Sequence, residues 1–143
     1  MEQTEVLTTK KKLDILKDIA YEIIEEQELP TPKEIKFKQP FNGTLKTTGM
    51  CYKNKLKDTY RISITITQAK FVEDPNGIYT NDYGKSYSRI MGEERPIKDI
   101  IKTIAHEIAH IKYYQHDKTH KEYQEYILNM IYIKLNVRGL EFD

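Results

Sequence analysis

Apolar residues recur along this chain with two different periods, and the switches between them divide it. Over residues 8 to 28 the spacing is helical: Leu13, Leu16, Ala20, Ile23 and Ile24 share one face. Thr8 or Thr9 supplies the cap, and Leu29-Pro30-Thr31-Pro32 stops the helix near Glu28. Lys17, Glu25 and Glu26 on the opposite side read as a solvated face. The period then falls to two. Glu34 to Lys38 alternates, Pro40 to Gly43 is turn chemistry, and Thr44 to Tyr52 reads as a second strand. Gly49 inside that strand marks a bulge or a close backbone contact. Lys53 to Asp58 is a polar hairpin loop. Thr59 to Thr67 is the clearest strand, with Tyr60, Ile62, Ile64 and Ile66 on one face and Arg61, Ser63, Thr65 and Thr67 on the wet one. The expectation is a three-stranded antiparallel meander.

Residues 68 to 96 carry no clear period. Asp74-Pro75-Asn76-Gly77 and Asn81-Asp82-Tyr83-Gly84 are turns, so the stretch reads as a long loop, of the kind that is usually functional or mobile. Tyr79, Tyr83 and Tyr87 there either line a substrate groove or cover core as amphipathic surface aromatics. Helical spacing returns at Pro96 and holds to about Gln115. Asp117-Lys118 turns the chain. Thr119-His120-Lys121-Glu122 reads as a capping box that opens a last helix, with Tyr123, Ile127, Met130 and Ile131 inward and an end near Gly139. The order is helix, three strands, loop, two helices. That is an α+β fold in a single domain over 1–143, without internal repeats.

The helix after Pro96 carries the chemistry. Ile97, Ile101, Ile104, Ile108 and Ile111 form its core stripe, and His106 and His110 fall nearly opposite on a wheel of about 3.6 residues per turn. They belong to His106-Glu107-Ile108-Ala109-His110, an H-E-x-x-H run. Side chains four apart share a helix face, so both imidazoles can aim at one ion. Glu107 is rotated by about 100°. There a carboxylate can take a proton from water that the metal activates. Two solvent-facing histidines are the bland alternative. Against it, all four histidines of the chain lie between His106 and His120. The metal reading requires cover on two sides of this helix, by a core on one and by a third-ligand element on the other.

Composition narrows the setting. A net charge of +1 creates no strong field for nucleic acid or an anionic membrane. With 31% charged residues there is no apolar run long enough to span a bilayer. The opening Met1-Glu2-Gln3-Thr4-Glu5 lacks signal-peptide character, and Cys51 is alone. A single cysteine excludes an internal disulfide and a four-cysteine zinc ribbon, and a reduced cytoplasmic setting is expected.

The third ligand lies downstream. His120 precedes Tyr123 by three residues and Ile127 by seven, so it shares the inward face of the last helix. Packing of that helix on the zinc helix would carry His120 to the pair. His116 sits in the linker, the alternative ligand or an outer contact. Glu122 reads better as a cap than as a ligand.

With His120 followed by Glu122 and Tyr123, the arrangement resembles the SprT-like zinc metallopeptidases. Thr48-Gly49-Met50-Cys51-Tyr52 and Tyr60-Arg61-Ile62-Ser63-Ile64 are similar to the strands of that family, and the resemblance covers about residues 10 to 135. It implies a zincin-like minimal protease domain: an N-terminal helix, a small antiparallel sheet, the HExxH zinc helix and a closing helix. His106, His110 and His120 would hold one Zn²⁺, with Glu107 as general base in the hydrolysis of a protein or peptide substrate. Substrate backbone would add to an edge strand, expected at Thr59 to Thr67. DNA association is a remoter implication, since Lys10-Lys11-Lys12 reads more simply as a solvated helix start. Two other readings stand beside it. One is a zinc-stabilised module that binds protein or DNA without turnover. The other is a regulatory protease resembling the ImmA/IrrE group, whose later carboxylate ligand has no clear counterpart here.

Overall fold

The computed structural model describes residues 8–38 and 49–142. The expected turn at Pro40 to Gly43 and the first part of the Thr44 to Tyr52 strand lie outside the described residues. Helix α1 spans Thr9–Glu26, and Thr8 caps it by accepting from the Lys11 N–H at 3.3 Å. Its buried face is Leu13, Leu16, Ile19, Ala20, Ile23 and Ile24. The helix stops where Glu28 turns left-handed at φ 55°, and the Leu29 N–H returns to the Ile24 carbonyl at 3.0 Å.

A first sheet follows from β1 (Glu34–Lys38), β2 (Gly49–Asn54) and β3 (Thr59–Thr65), in the order β1-β3-β2. β2 and β3 pair antiparallel, with Cys51 opposite Ile62. β1 and β3 pair parallel, with Ile35 opposite Ile62 and Phe37 opposite Ile64. The meander expectation is corrected here: β3 enters between the other two. It is the most apolar strand of the three, and the central position buries Ile62 and Ile64 almost completely. The expected edge at Thr59 to Thr67 is therefore the sheet's centre, and among the described residues β2 is the edge beside the helices. The wet face is also shorter than the alternation suggested, because Thr65 and Thr67 are buried.

Residues 68 to 96 are not a loop. β4 (Thr67–Glu73), β5 (Tyr79–Thr80) and β6 (Ser86–Glu94) form a second sheet in the order β4-β6-β5. The turn residues read as loop chemistry are the corners of these hairpins. Asp74 accepts from the Asn76 and Gly77 N–H groups, and Asn81 from those of Tyr83 and Lys85. A Cβ at Gly77 would lie 2.1 Å from the Tyr87 carbonyl oxygen, so only glycine fits that corner.

Helix α2 (Ile97–Lys112) packs on β2, β3 and α1, and α3 (Lys118–Val137) packs back on α2 and α1. Pro96 precedes α2 as expected, but the helix ends at Lys112 rather than Gln115. The α3 cap is Asp117, not Thr119: its carboxylate accepts from the His120 N–H at 2.9 Å. That leaves Glu122 to pair with Lys118 at 3.7 Å on the surface. Gly139, at φ 72°, ends α3. Ion pairs Lys134–Glu26 at 2.7 Å and Arg138–Glu22 at 2.8 Å tie α3 to α1. The α+β layout with helices at both ends matches the sequence. No helix among the described residues is long and apolar enough to cross a membrane.

One isoleucine-rich core joins α1, the first sheet, α2 and α3. Ile101 is 0% exposed within it. Ile101→Ala is expected to cost about 2–5 kcal/mol through lost burial and a residual cavity, read as a lower urea midpoint at unchanged slope.

Candidate metal centre

His106 and His110 leave α2 on one side, one turn apart, with their Nε2 atoms 3.1 Å from each other. Each ring is held from behind. Gln124 of α3 places Oε1 at 2.8 Å from His106 Nδ1, and the Tyr113 carbonyl stands 3.2 Å from His110 Nδ1. Both oxygens only accept, so in the neutral form of each ring Nδ1 carries the proton and Nε2 a bare lone pair. Metal-ligating histidines are oriented by outer partners in this way.

His116 arrives from the connection between α2 and α3. Its Nε2 lies 2.8 Å from His110 Nε2 and 3.1 Å from His106 Nε2. A proton on His116 can serve either contact. Between His106 and His110 there is none, and two facing lone pairs repel. A cation between them reverses the sign. A tetrahedral ion with nitrogens at about 2.0–2.1 Å sets those nitrogens about 3.3 Å apart, close to all three sides of this triangle.

His120 comes from the first turn of α3, placed by the Asp117 cap, and is 2% exposed. It shares the inward stripe with Ile127 and Ile131, as its spacing predicts. Its ring stacks on His110 with centroids 4.1 Å apart and stands edge-on to His106 at 4.6 Å. Its Nε2 lies 3.1 Å from the His106 carbonyl oxygen, which accepts the ring N–H. One ligand nitrogen from each of His106, His110 and His120 falls within 4.8 Å of the others. These three lie close enough to hold a metal ion. Burial, reinforced by the neighbouring imidazoles, lowers the His110 pKa to about 4, and burial also lowers that of His120. Both are neutral at pH 7, the form a metal requires.

Glu107 packs against β2 and is 3% exposed. Gly49 makes that approach feasible. A Cβ there would lie 2.7 Å from Thr103 Cγ2 and 3.1 Å from Glu107 Cγ. Glu107 Oε2 is buried without a hydrogen-bond partner. Burial raises this carboxyl from its ordinary 4.5 to about 7. Cys51, also on β2, is raised to about 12 by burial and then by the charge of Glu107, so it is a thiol at neutral pH.

The structure brings His106, His110 and His120 together, and His116 with them, while Glu107 packs against Gly49 of β2. Gln124 and the Tyr113 carbonyl are additions. Gln124 lies four residues after His120, a spacing that put it on the same face; nothing in the sequence marks a backbone carbonyl. Arg95 is a further addition: it donates to the Thr65 carbonyl and to Thr103 Oγ1, both at 2.7 Å, and joins the end of β3 to α2. With Asp99, Lys102, Thr103 and Gln124 it lines a cleft of about 280 Å³ beside His106. The three tyrosines do not line that cleft. Tyr79 is exposed on β5, Tyr83 is exposed in the turn between β5 and β6, and Tyr87 accepts from Asn81.

Gln124→Leu removes the oxygen behind His106 and is expected to lower metal affinity about 10–100-fold, measured by competition with a chromogenic chelator. Glu107 sets a pH dependence. Its folded pKa lies above the unfolded one, so the metal-free folded state holds the extra proton and loses stability as pH rises from about 4.5 through 7. Glu107→Gln lacks this loss. In chelator, its stability relative to the wild type should rise by up to about 3 kcal/mol between pH 4.5 and pH 8, read from urea midpoints.

Comparison of the chain with protein-family models, with curated proteins and with solved structures finds no match. What the centre does is read from its own residues.

Proposed function

We propose that this protein is a zinc-dependent peptidase of the SprT-like kind, with His106, His110 and His120 as the ligands and Glu107 as the general base. One observation carries the reading. Two imidazoles with Nε2 atoms 3.1 Å apart stand one residue before and three residues after a buried carboxylate whose Oε2 has no partner among the described residues. A buried unpaired carboxylate oxygen is costly, and a water or substrate group at the centre would relieve it. Zinc suits an imidazole set with one position left open, and when bound it would polarise water and the substrate carbonyl.

The chain's own residues do the rest. Gln124 and the Tyr113 carbonyl keep the Nε2 atoms of His106 and His110 turned to the ion. Glu107 takes the proton of the attacking water and returns it to the leaving amine. Burial holds this carboxyl at about 7 in the metal-free protein, and the charge of a bound ion would favour the ionised form that accepts the proton. β2, the edge strand against Glu107, offers N–H and C=O groups along which an extended peptide can align. The expected outcome for Glu107→Gln is retention of zinc with a loss of casein hydrolysis of at least about 100-fold. Hydrolysis at the wild-type rate would remove Glu107 from this role.

A second reading has its own support. His116 Nε2, at 2.8 and 3.1 Å from the pair, would make a fourth protein ligand. Structural zinc sites close with four. On that account the protein is a zinc-stabilised module that binds protein or DNA.

A further inference from the structure

The position of His116 decides between an open centre and a closed one. We propose that His116 is a displaceable ligand, carried on the α2–α3 connection, that fills the coordination position a substrate water must take. This rests on the metal reading above and adds a latch to it.

Three features separate His116 from the other histidines. It reaches the ion's place through Nε2, at 2.8 Å from His110 Nε2 and 3.1 Å from His106 Nε2, as a first-rank ligand would. Yet it is exposed, and it lies between the end of α2 at Lys112 and the start of α3 at Lys118, on neither helix. Its ring is also not held from behind. His106 and His110 each engage Nδ1 with an oxygen, whereas among the described residues nothing bonds His116 Nδ1. Permanent ligands are oriented by such partners, and His116 lacks one. His120 is the opposite case: buried, stacked on His110 and anchored to the His106 carbonyl.

The connection also has the means to move. Tyr113 leaves α2 with extended backbone, and the Asp117 N–H closes a short turn on the Gln115 carbonyl at 3.0 Å. Asp117 caps α3 without using the His116 side chain. A change of rotamer or of the Tyr114 to His116 backbone would therefore withdraw the imidazole while both helices stay in place. Withdrawal opens the fourth position beside Glu107. The resting protein is then protected from idle hydrolysis, and a substrate or competing ligand must displace His116 to gain entry.

Cobalt reads this directly. Metal-free wild type and His116→Ala are titrated with Co²⁺, the visible d–d bands are followed, and folding is checked by circular dichroism. The expected result is that His116→Ala still binds Co²⁺, weakened by no more than about 100-fold. Its bands shift as solvent replaces imidazole, and added imidazole restores them. Acetohydroxamate, which needs the open position, should bind cobalt-loaded His116→Ala at least about tenfold more tightly than loaded wild type, because the competent fraction is no longer limited by the latch. Identical bands and equal acetohydroxamate affinity would show that His116 is no ligand. Loss of all Co²⁺ binding in folded His116→Ala would make it a permanent ligand and equally overturn the proposal. A wild type that binds no Co²⁺ would remove the metal reading itself.

Discussion

The Nε2 atoms of two neutral imidazoles that carry their protons on Nδ1, 3.1 Å apart, make a repulsive contact unless a cation stands between them. The arrangement survives in the fold because other groups enforce it. Gln124 and the Tyr113 carbonyl fix the tautomers, the α2 backbone fixes the spacing, and the packing of α3 fixes Gln124. Much of the architecture follows from keeping α2 covered. Ile100, Ile101, Ile104 and Ile108 sink into the core, while Thr103 and Glu107 meet β2. The helix is enclosed on two sides, as an ion-binding helix must be if its ligands are to converge rather than face solvent.

The electrostatics follow from that enclosure. Burial keeps His110 neutral and holds a proton on Glu107 well above the ordinary carboxyl range. The same desolvation makes each group a cost to the empty protein and leaves the His110 ring in the unprotonated form that a metal ion requires. Cys51 shows the limit of the effect, since burial beside Glu107 makes it unreactive.

What the sequence disclosed was what periodicity and spacing encode. The three helices, the strands at Glu34 to Lys38 and Thr59 to Thr65, and the clustering of histidines all rest on local pattern. Strand order was not legible. β1 pairs parallel with β3, a choice made by which strand gains most from double-sided pairing, and local alternation carries no record of it. The second sheet was missed because the same Asp, Asn and Gly residues serve loops and hairpin corners alike. β5 is only Tyr79–Thr80, too short to show a period. The α3 cap shifted by two residues because Asp117 and Thr119 both suit the position, and packing selects between them. In the centre, His106, Glu107, His110 and His120 were readable from helix geometry. The place of His116 was not, since a loop gives its side chains no fixed direction.

The three histidines close enough to hold an ion do not belong to any one element. His106 and His110 ride on α2 and His120 on α3, and the His120 ring is fastened to an α2 carbonyl at 3.1 Å. Their meeting point is thus a seam, and an ion held there would act as a rivet through two layers. An ion held there would link occupancy to the docking of the last helix, so that tighter chelation and firmer seating of α3 would be one free energy.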